Sequence, residues 1–130
     1  RRLLTHVRDI MRAGSDVPSV REGTSVLDAV REITKKHIGM TAVVDNEDRV
    51  TGIFTEGDLR RLIEKRGDIR AIKIDDVMTK TPTTIGQDEM AATAAKILEK
   101  TLKNQLLVVD DKGHLIGALH MHDLMSAKVI

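Results

Sequence analysis

The amino-acid sequence predicts a mixed α+β (α/β) fold of two β-α-β-β-α repeats packed about a pseudo-twofold axis. Three observations lead to it. The stretch Gly52-Ile53-Phe54-Thr55-Glu56-Gly57-Asp58 returns in altered form as Gly117-Ala118-Leu119-His120-Met121-His122-Asp123. Each copy follows the same hairpin pattern, Val43-Val44-Asp45 up to Val50 in one and Val108-Val109-Asp110 up to Leu115 in the other. A lead-in also recurs, Val7-Arg8-Asp9-Ile10-Met11 as Ile74-Asp75-Asp76-Val77-Met78. A repeat of about 60 residues buries too little surface to be stable alone. The copies are therefore expected to pair face to face, with both strand-to-helix corners looking into a cleft near the axis. The expected division places the first repeat and its lead-in helix at 1–73 and the second repeat at 74–130.

Taken in order, Leu3, Leu4, Val7, Ile10 and Met11 have helical spacing, so the chain is expected to open with a helix over 1–11. Arg12 to Asp16 reads as a loop. Val17-Pro18-Ser19-Val20 reads as a short strand, and its proline points to an edge or a strand start. Thr24 or Ser25 caps a helix whose apolar stripe is Val26, Ala29, Val30 and Ile33, with a glycine-assisted end near His37-Ile38-Gly39. A hairpin follows, Thr41 to Val44 and Val50 to Phe54, around the polar turn Asn46-Glu47-Asp48. The next helix begins near Thr55 and stops at Gly67. Repeat two retraces this order. Thr81 to Ile85 is the short strand, and Asp88 caps a helix with Met90, Ala94, Ile97 and Leu98 on one side. Leu106 to Val109 and His114 to Leu119 flank a turn closed by a left-handed Gly113, and a last helix starts near Met121.

Composition narrows the function classes. Over 130 residues, 41% are hydrophobic and 32% charged, a globular profile with a net charge of +1. That charge gives no reason to propose a nucleic-acid or polybasic membrane surface. Phe54 is the single aromatic residue, so a base-stacking platform for single strands is a poor reading too. There is no cysteine, hence no disulfide framework and no thiolate chemistry, which fits a reducing compartment. No apolar run is long enough to span a membrane. The chain begins Arg1-Arg2 rather than with Met, and is expected to be a piece of a longer protein.

The two corners are the candidate site. A helix start presents unpaired N–H groups that suit an anion such as phosphate, and an acid a few residues in can accept from sugar hydroxyls. For Thr55 and Asp58 the plain alternative is a capping box, worth roughly 1 kcal/mol. At the second corner His120 replaces Thr55 as a poorer cap while Asp123 still matches Asp58, so capping alone does not explain why the acid is kept. His120 and His122 would share a face on a strand, but a helix starting near Met121 is expected to splay them. Three readings stay open for the pair: polar residues at a cleft mouth, recognition of an anionic group, or, with Asp123, a metal site short of a further ligand.

Carried by the Asp-Ile-Met and Asp-Val-Met lead-ins, the Val-Val-Asp hairpins and Gly-x-x-Thr-x-x-Asp at Gly52 to Asp58, the chain resembles a tandem pair of CBS domains, a Bateman module, from about Val7 to Met125. Gly39-Met40-Thr41, the run Gly52 to Arg61, and Leu119 to Leu124 are further similar to the C-terminal regulatory half of bacterial D-arabinose-5-phosphate isomerases, which join a sugar-isomerase (SIS) domain to a CBS pair. The resemblance implies a regulatory ligand, a nucleotide or nucleotide-sugar, with Thr55 on phosphate and Asp58 on ribose. It implies an adenine nucleotide or a CMP-linked octulosonate as that ligand, since the parent enzymes serve lipopolysaccharide biosynthesis in the bacterial cytoplasm. It also implies an N-terminal SIS partner domain and homodimers formed through CBS pairs, within a higher oligomer. The different class of function is an assembly module that binds nothing small.

The resemblance extends the site to Val20 and Ile85, whose strands pinch a base ring in such pairs, and to Met40 and Thr41, where the second strand enters the cleft. Edge strands of the core are the plain alternative. Glu56, Arg60, Arg61, Lys65 and Arg66 form a charged helix face, which is usually just solvated, with Arg60 or Arg61 reaching a ligand phosphate as the alternative. No Walker loop, cysteine nucleophile or Ser/His/Asp grouping appears, so this segment is expected to be non-catalytic, with no required cofactor and no metal.

Overall fold

A computed structural model describes residues 4–130. The element order is α1 (Val7–Ile10), β1 (Ser19–Arg21), α2 (Val26–Lys36), β2 (Met40–Val44), β3 (Val50–Thr55), α3 (Glu56–Arg66), β4 (Thr84–Gly86), α4 (Ala91–Thr101), β5 (Gln105–Val109), β6 (Leu115–His120) and α5 (Met121–Ser126). The two sheets are built alike. In each, a short edge strand runs parallel to the middle strand and the middle strand pairs antiparallel with the next, in the orders β1-β2-β3 and β4-β5-β6. Both hairpins carry a register irregularity at the same place, Val43/Val44 and Val108/Val109. The expected α+β double repeat is what the chain forms.

The turns are legible in atoms. Asp45 Oδ1 accepts the N–H of Glu47 and of Arg49 at 2.8 and 3.0 Å, and Asp110 Oδ1 accepts those of Lys112 and His114 at 2.9 Å each. The left-handed position that closes each turn is Gly113 at φ 85° in one and Asp48 at φ 65° in the other. Asp and Gly are among the residues that tolerate it.

Several elements differ from expectation. The opening helix is confined to Val7–Ile10; Leu4 is exposed, and Leu3 lies outside the described residues. Ser25, not Thr24, caps α2, accepting the Asp28 N–H at 3.1 Å, and His37 takes the left-handed position (φ 65°) ahead of Gly39 (φ 76°). Asp88 does not cap α4. Met90 is its N-cap, and the first helical N–H, from Ala91, is accepted by the Thr5 carbonyl at 2.8 Å. With that donor satisfied by backbone, Asp88 pairs with Arg8. The matching bond at α2 runs from Val26 N–H to the Ile72 carbonyl, 2.9 Å.

Those last bonds reveal how the chain is divided. The compact units do not follow the expected cut after residue 73. One holds the described residues through Val17 together with Thr83–Ile130, and the other is Pro18–Pro82. Each lead-in is thus packed on the other repeat. Val7 lies in the core with Leu98, Leu106, Leu119 and Leu124, whereas Ile72 and Ile74 lie in the core with Val26, Ile33, Phe54 and Leu62. The lead-ins end as one-residue bridges on the outer strands, Arg12 with Ala118 and Thr79 with Ile53. Glycine makes room at each seat: a Cβ on Gly117 would lie 2.6 Å from Met11 Sδ, and one on Gly52 would lie 2.4 Å from Met78 Sδ. The repeated glycine of the corner motif and the repeated methionine of the lead-in are one packing device.

Candidate functional site

At the first corner β3 runs directly into α3, with Thr55 as N-cap in extended conformation. The capping box is complete: Thr55 Oγ1 accepts the Asp58 N–H at 3.1 Å, and Asp58 Oδ2 accepts the Thr55 N–H at 3.0 Å. The Glu56 N–H is satisfied by the Gly39 carbonyl at 3.0 Å. That leaves the Gly57 N–H with no acceptor among the described residues, and the Thr55 hydroxyl proton free to donate. Asp58 uses only one oxygen on the backbone. Its Oδ1 accepts from Arg61 Nη2 at 2.6 Å, one turn along α3. The charged face of α3 is therefore not uniformly solvated, since Arg61 turns back to the corner. Beside it Asp58, Arg61, Lys65, Arg66 and Asp76 line a cleft of about 320 Å³ whose apolar lining is Leu62 and Val77.

The second corner repeats the backbone path and fills it differently. The Met121 N–H goes to the Asn104 carbonyl at 2.8 Å, as Glu56 does to Gly39. His120 proves a competent cap: its Nδ1 accepts the His122 N–H at 3.0 Å, while Asp123 Oδ2 accepts the His120 N–H at 2.9 Å. The expectation of a poorer cap, on which capping alone would not explain the acid, is corrected, because a neutral imidazole nitrogen substitutes for the hydroxyl. The expected splaying of the rings is corrected as well. Bridged by that bond, His120 and His122 stack at 4.6 Å between centroids with planes 4° apart.

Asp123 is further engaged by a residue that sequence reasoning missed. Arg12, at the end of the first lead-in, holds it bidentately, Nη2 to Oδ1 at 3.0 Å and Nε to Oδ2 at 3.2 Å. Arg12 and Asp123 lie far apart in sequence, and the available signal was only that a basic residue follows the lead-in's methionine. Burial, then the neighbouring His122 and Arg12, hold His120 below its ordinary value against the opposing pull of Asp123. Among the described residues no group of three or more His, Cys, Asp or Glu side chains is arranged to hold a metal.

The remaining sequence candidates lie on the strands β1, β2 and β4. Met40 stands opposite Thr55 across the hairpin and Thr41 opposite Phe54, but both are fully buried in a middle strand covered on both faces. Thr41 Oγ1 donates to the Ala42 carbonyl at 3.0 Å. Val20 is paired with Val43, and Val43 with Gly52, which sets Val20 about 10 Å along the sheet from the register of Thr55. Ile85 has the same relation to Val108 and Gly117 in the other unit. Thr55 and Asp58 are brought together, as are His120, His122 and Asp123; the two sets belong to different units.

Comparison with known proteins follows the sequence repeats rather than the compact units. The family model described as CBS domain matches residues 7–65 and 74–130. Arabinose 5-phosphate isomerase KdsD of Pseudomonas aeruginosa is 45% identical over 130 residues, covering all of this chain and 40% of that protein. Its counterpart from Escherichia coli K12 is 39% identical, with 39% of that protein covered. The chain thus spans about two-fifths of the length of these curated relatives. Among solved structures, CBSX2 in complex with AMP superposes with a TM-score of 0.81 at 27% identity, covering 96% of each chain. The CBS domain pair of protein MJ0100, in complex with 5-methylthioadenosine and S-adenosyl-L-methionine, reaches a TM-score of 0.85 at 23% identity, covering 95% of this chain and 94% of that one.

Proposed function

The chain belongs to the CBS domain family as a tandem pair, and on that premise we propose that it is a regulatory module whose first corner binds a nucleotide or nucleotide-sugar. The observation that carries this reading is the inequality of the corners. At the first, the Gly57 N–H has no acceptor among the described residues and Asp58 Oδ1 meets only the exposed Arg61 guanidinium. At the second, the matching N–H is used by His120 Nδ1 and both Asp123 oxygens are held by Arg12. The ligand phosphate is assigned to Thr55 Oγ1 and the helix start, and a ribose hydroxyl to Asp58. That CBSX2 is seen with AMP supports the ligand class.

An adenine nucleotide and a CMP-linked octulosonate are the two candidates. The setting is a longer chain in the bacterial cytoplasm whose SIS domain isomerises arabinose 5-phosphate. There the ligand changes activity only by favouring one arrangement of the domains over another. A thermal-shift panel of AMP, ATP, CMP and CMP-octulosonate tests this: one of them raises the melting temperature of the protein, and Asp58→Asn, which keeps a cap acceptor, removes the rise. No shift by any of the four at millimolar concentration rejects the reading.

One observation favours the second reading, an assembly face. Ala92, Ala95, Leu98, Leu102, Met121 and Val129 line an apolar cleft of about 640 Å³ on one unit, and Leu102 there is 90% exposed. A protein that is monomeric at working concentration, by sedimentation, rejects that one.

A further inference from the structure

Arg61 stands where no general feature of the corner motif requires a cation. Resting on the nucleotide reading, we propose that Arg61 is the specificity-determining residue of the first corner, selecting a phosphorylated ligand over the bare nucleoside. Three features place it. First, Asp58 Oδ1 accepts from Arg61 Nη2 at 2.6 Å, so one edge of the guanidinium is pinned and its other N–H groups point elsewhere. Second, the group lies over the backbone of Gly57: a Cβ built there would sit 3.4 Å from Nη1 and 3.5 Å from Nη2. Both are ordinary contact distances, so the guanidinium rests beside the helix start. Third, Arg61 lines the cleft of about 320 Å³ together with Lys65 and Arg66, so the cleft carries more cations than its two carboxylates, Asp58 and Asp76, neutralise.

The second corner provides an internal control. Ser126 stands at the position matching Arg61, and the arginine that meets the acid there, Arg12, comes from the lead-in and is half as exposed, 33% against 63%. Arg12 is spent bidentately on Asp123, whereas Arg61 donates a single bond to Asp58 and keeps its remaining fork for an anion. A planar fork matches two phosphate oxygens at once, which a solvated lysine does not. Asp58 thereby has two tasks, accepting from the sugar and orienting the cation for the phosphate.

Calorimetric titration of the protein with AMP and adenosine, and with CMP and cytidine, tests this. The wild type is expected to favour the monophosphate of the preferred base by roughly tenfold or more, the scale of one charge-assisted bond. Arg61→Gln is expected to lower monophosphate affinity by about that factor, leave the nucleoside unchanged and leave the melt unchanged, while Arg61→Lys recovers only part. Arg61→Gln binding the monophosphate as the wild type does overturns the inference, as does a loss found with Lys65→Gln instead. Equal wild-type affinity for nucleotide and nucleoside also overturns it while sparing the nucleotide reading. No binding of either overturns both.

Discussion

Substituting alanine at the two motif glycines should have unequal consequences, and the reason lies in which atoms the new methyl group meets. At Gly52 all three close atoms belong to the Met78 side chain, Sδ at 2.4, Cγ at 2.8 and Cε at 3.0 Å. An unbranched thioether can swing away. At Gly117 the methyl meets Met11 Sδ at 2.6 Å and also the Arg12 carbonyl oxygen at 2.9 Å. That carbonyl is fixed, since it accepts the Ala118 N–H at 3.1 Å while the Arg12 N–H donates back to Ala118 at 2.8 Å. Overpacking costs about 1–3 kcal/mol, each bridge bond lost about 1 kcal/mol, and reduced unfolded-state freedom returns about 0.5 kcal/mol. Gly117→Ala should then destabilise by about 3 kcal/mol and Gly52→Ala by about 1 kcal/mol. Urea melts of both variants measure this, with Met78→Ala added to the Gly52 variant to remove the clash. A loss at Gly52 equal to or larger than that at Gly117, or no relief from Met78→Ala, refutes the packing of each lead-in on the other repeat.

Two further outcomes follow from the corner geometry. Arg12→Ala exposes the part-buried Asp123 to desolvation without a partner and should cost about 1–2 kcal/mol. Arg61→Ala breaks only an exposed pair and should cost under about 0.5 kcal/mol. Equal losses would contradict the difference between the corners. The pH dependence has a definite sign. His120 is held below its ordinary 6.5, so the fold favours its neutral form, and the stability it contributes is present above 6.5 and lost as pH falls through the lowered value. Its Nδ1 cannot accept the His122 N–H once protonated. Hydrogen exchange should show α5 opening more readily on acidification, and His120→Asn, a cap that does not titrate, should abolish that acid dependence.

What could be read from the sequence was local. Val-Val-Asp followed by a left-handed position specifies a hairpin because Asp45 and Asp110 close their own turns, so strand positions came out within a residue or so. The Thr55–Asp58 capping box was also visible, because its spacing is that of one helical turn. What stayed hidden depended on which distant segment arrives. A lead-in seen twice does not say which repeat it packs on, so neither the Thr5 carbonyl that displaces Asp88 as a cap nor the reach of Arg12 to Asp123 could be inferred. Met40 and Thr41 looked available because their strand leads into the corner, but β2 is a middle strand, and its side chains are consumed by the core. Arg60 and Arg61 could be named from the sequence but not told apart. On a helix with several basic residues, only the side-chain direction distinguishes the one that turns to Asp58.

On this reading the two corners are unequal, one open to a ligand and one satisfied from within. Isothermal titration with the nucleotide that gives the largest thermal shift, on wild type, Asp58→Asn and Asp123→Asn, tests it directly. One ligand per chain is expected, with binding abolished or weakened at least about tenfold by Asp58→Asn and affinity within about twofold of wild type for Asp123→Asn. Two equivalent sites per chain, or a loss confined to Asp123→Asn, would contradict it.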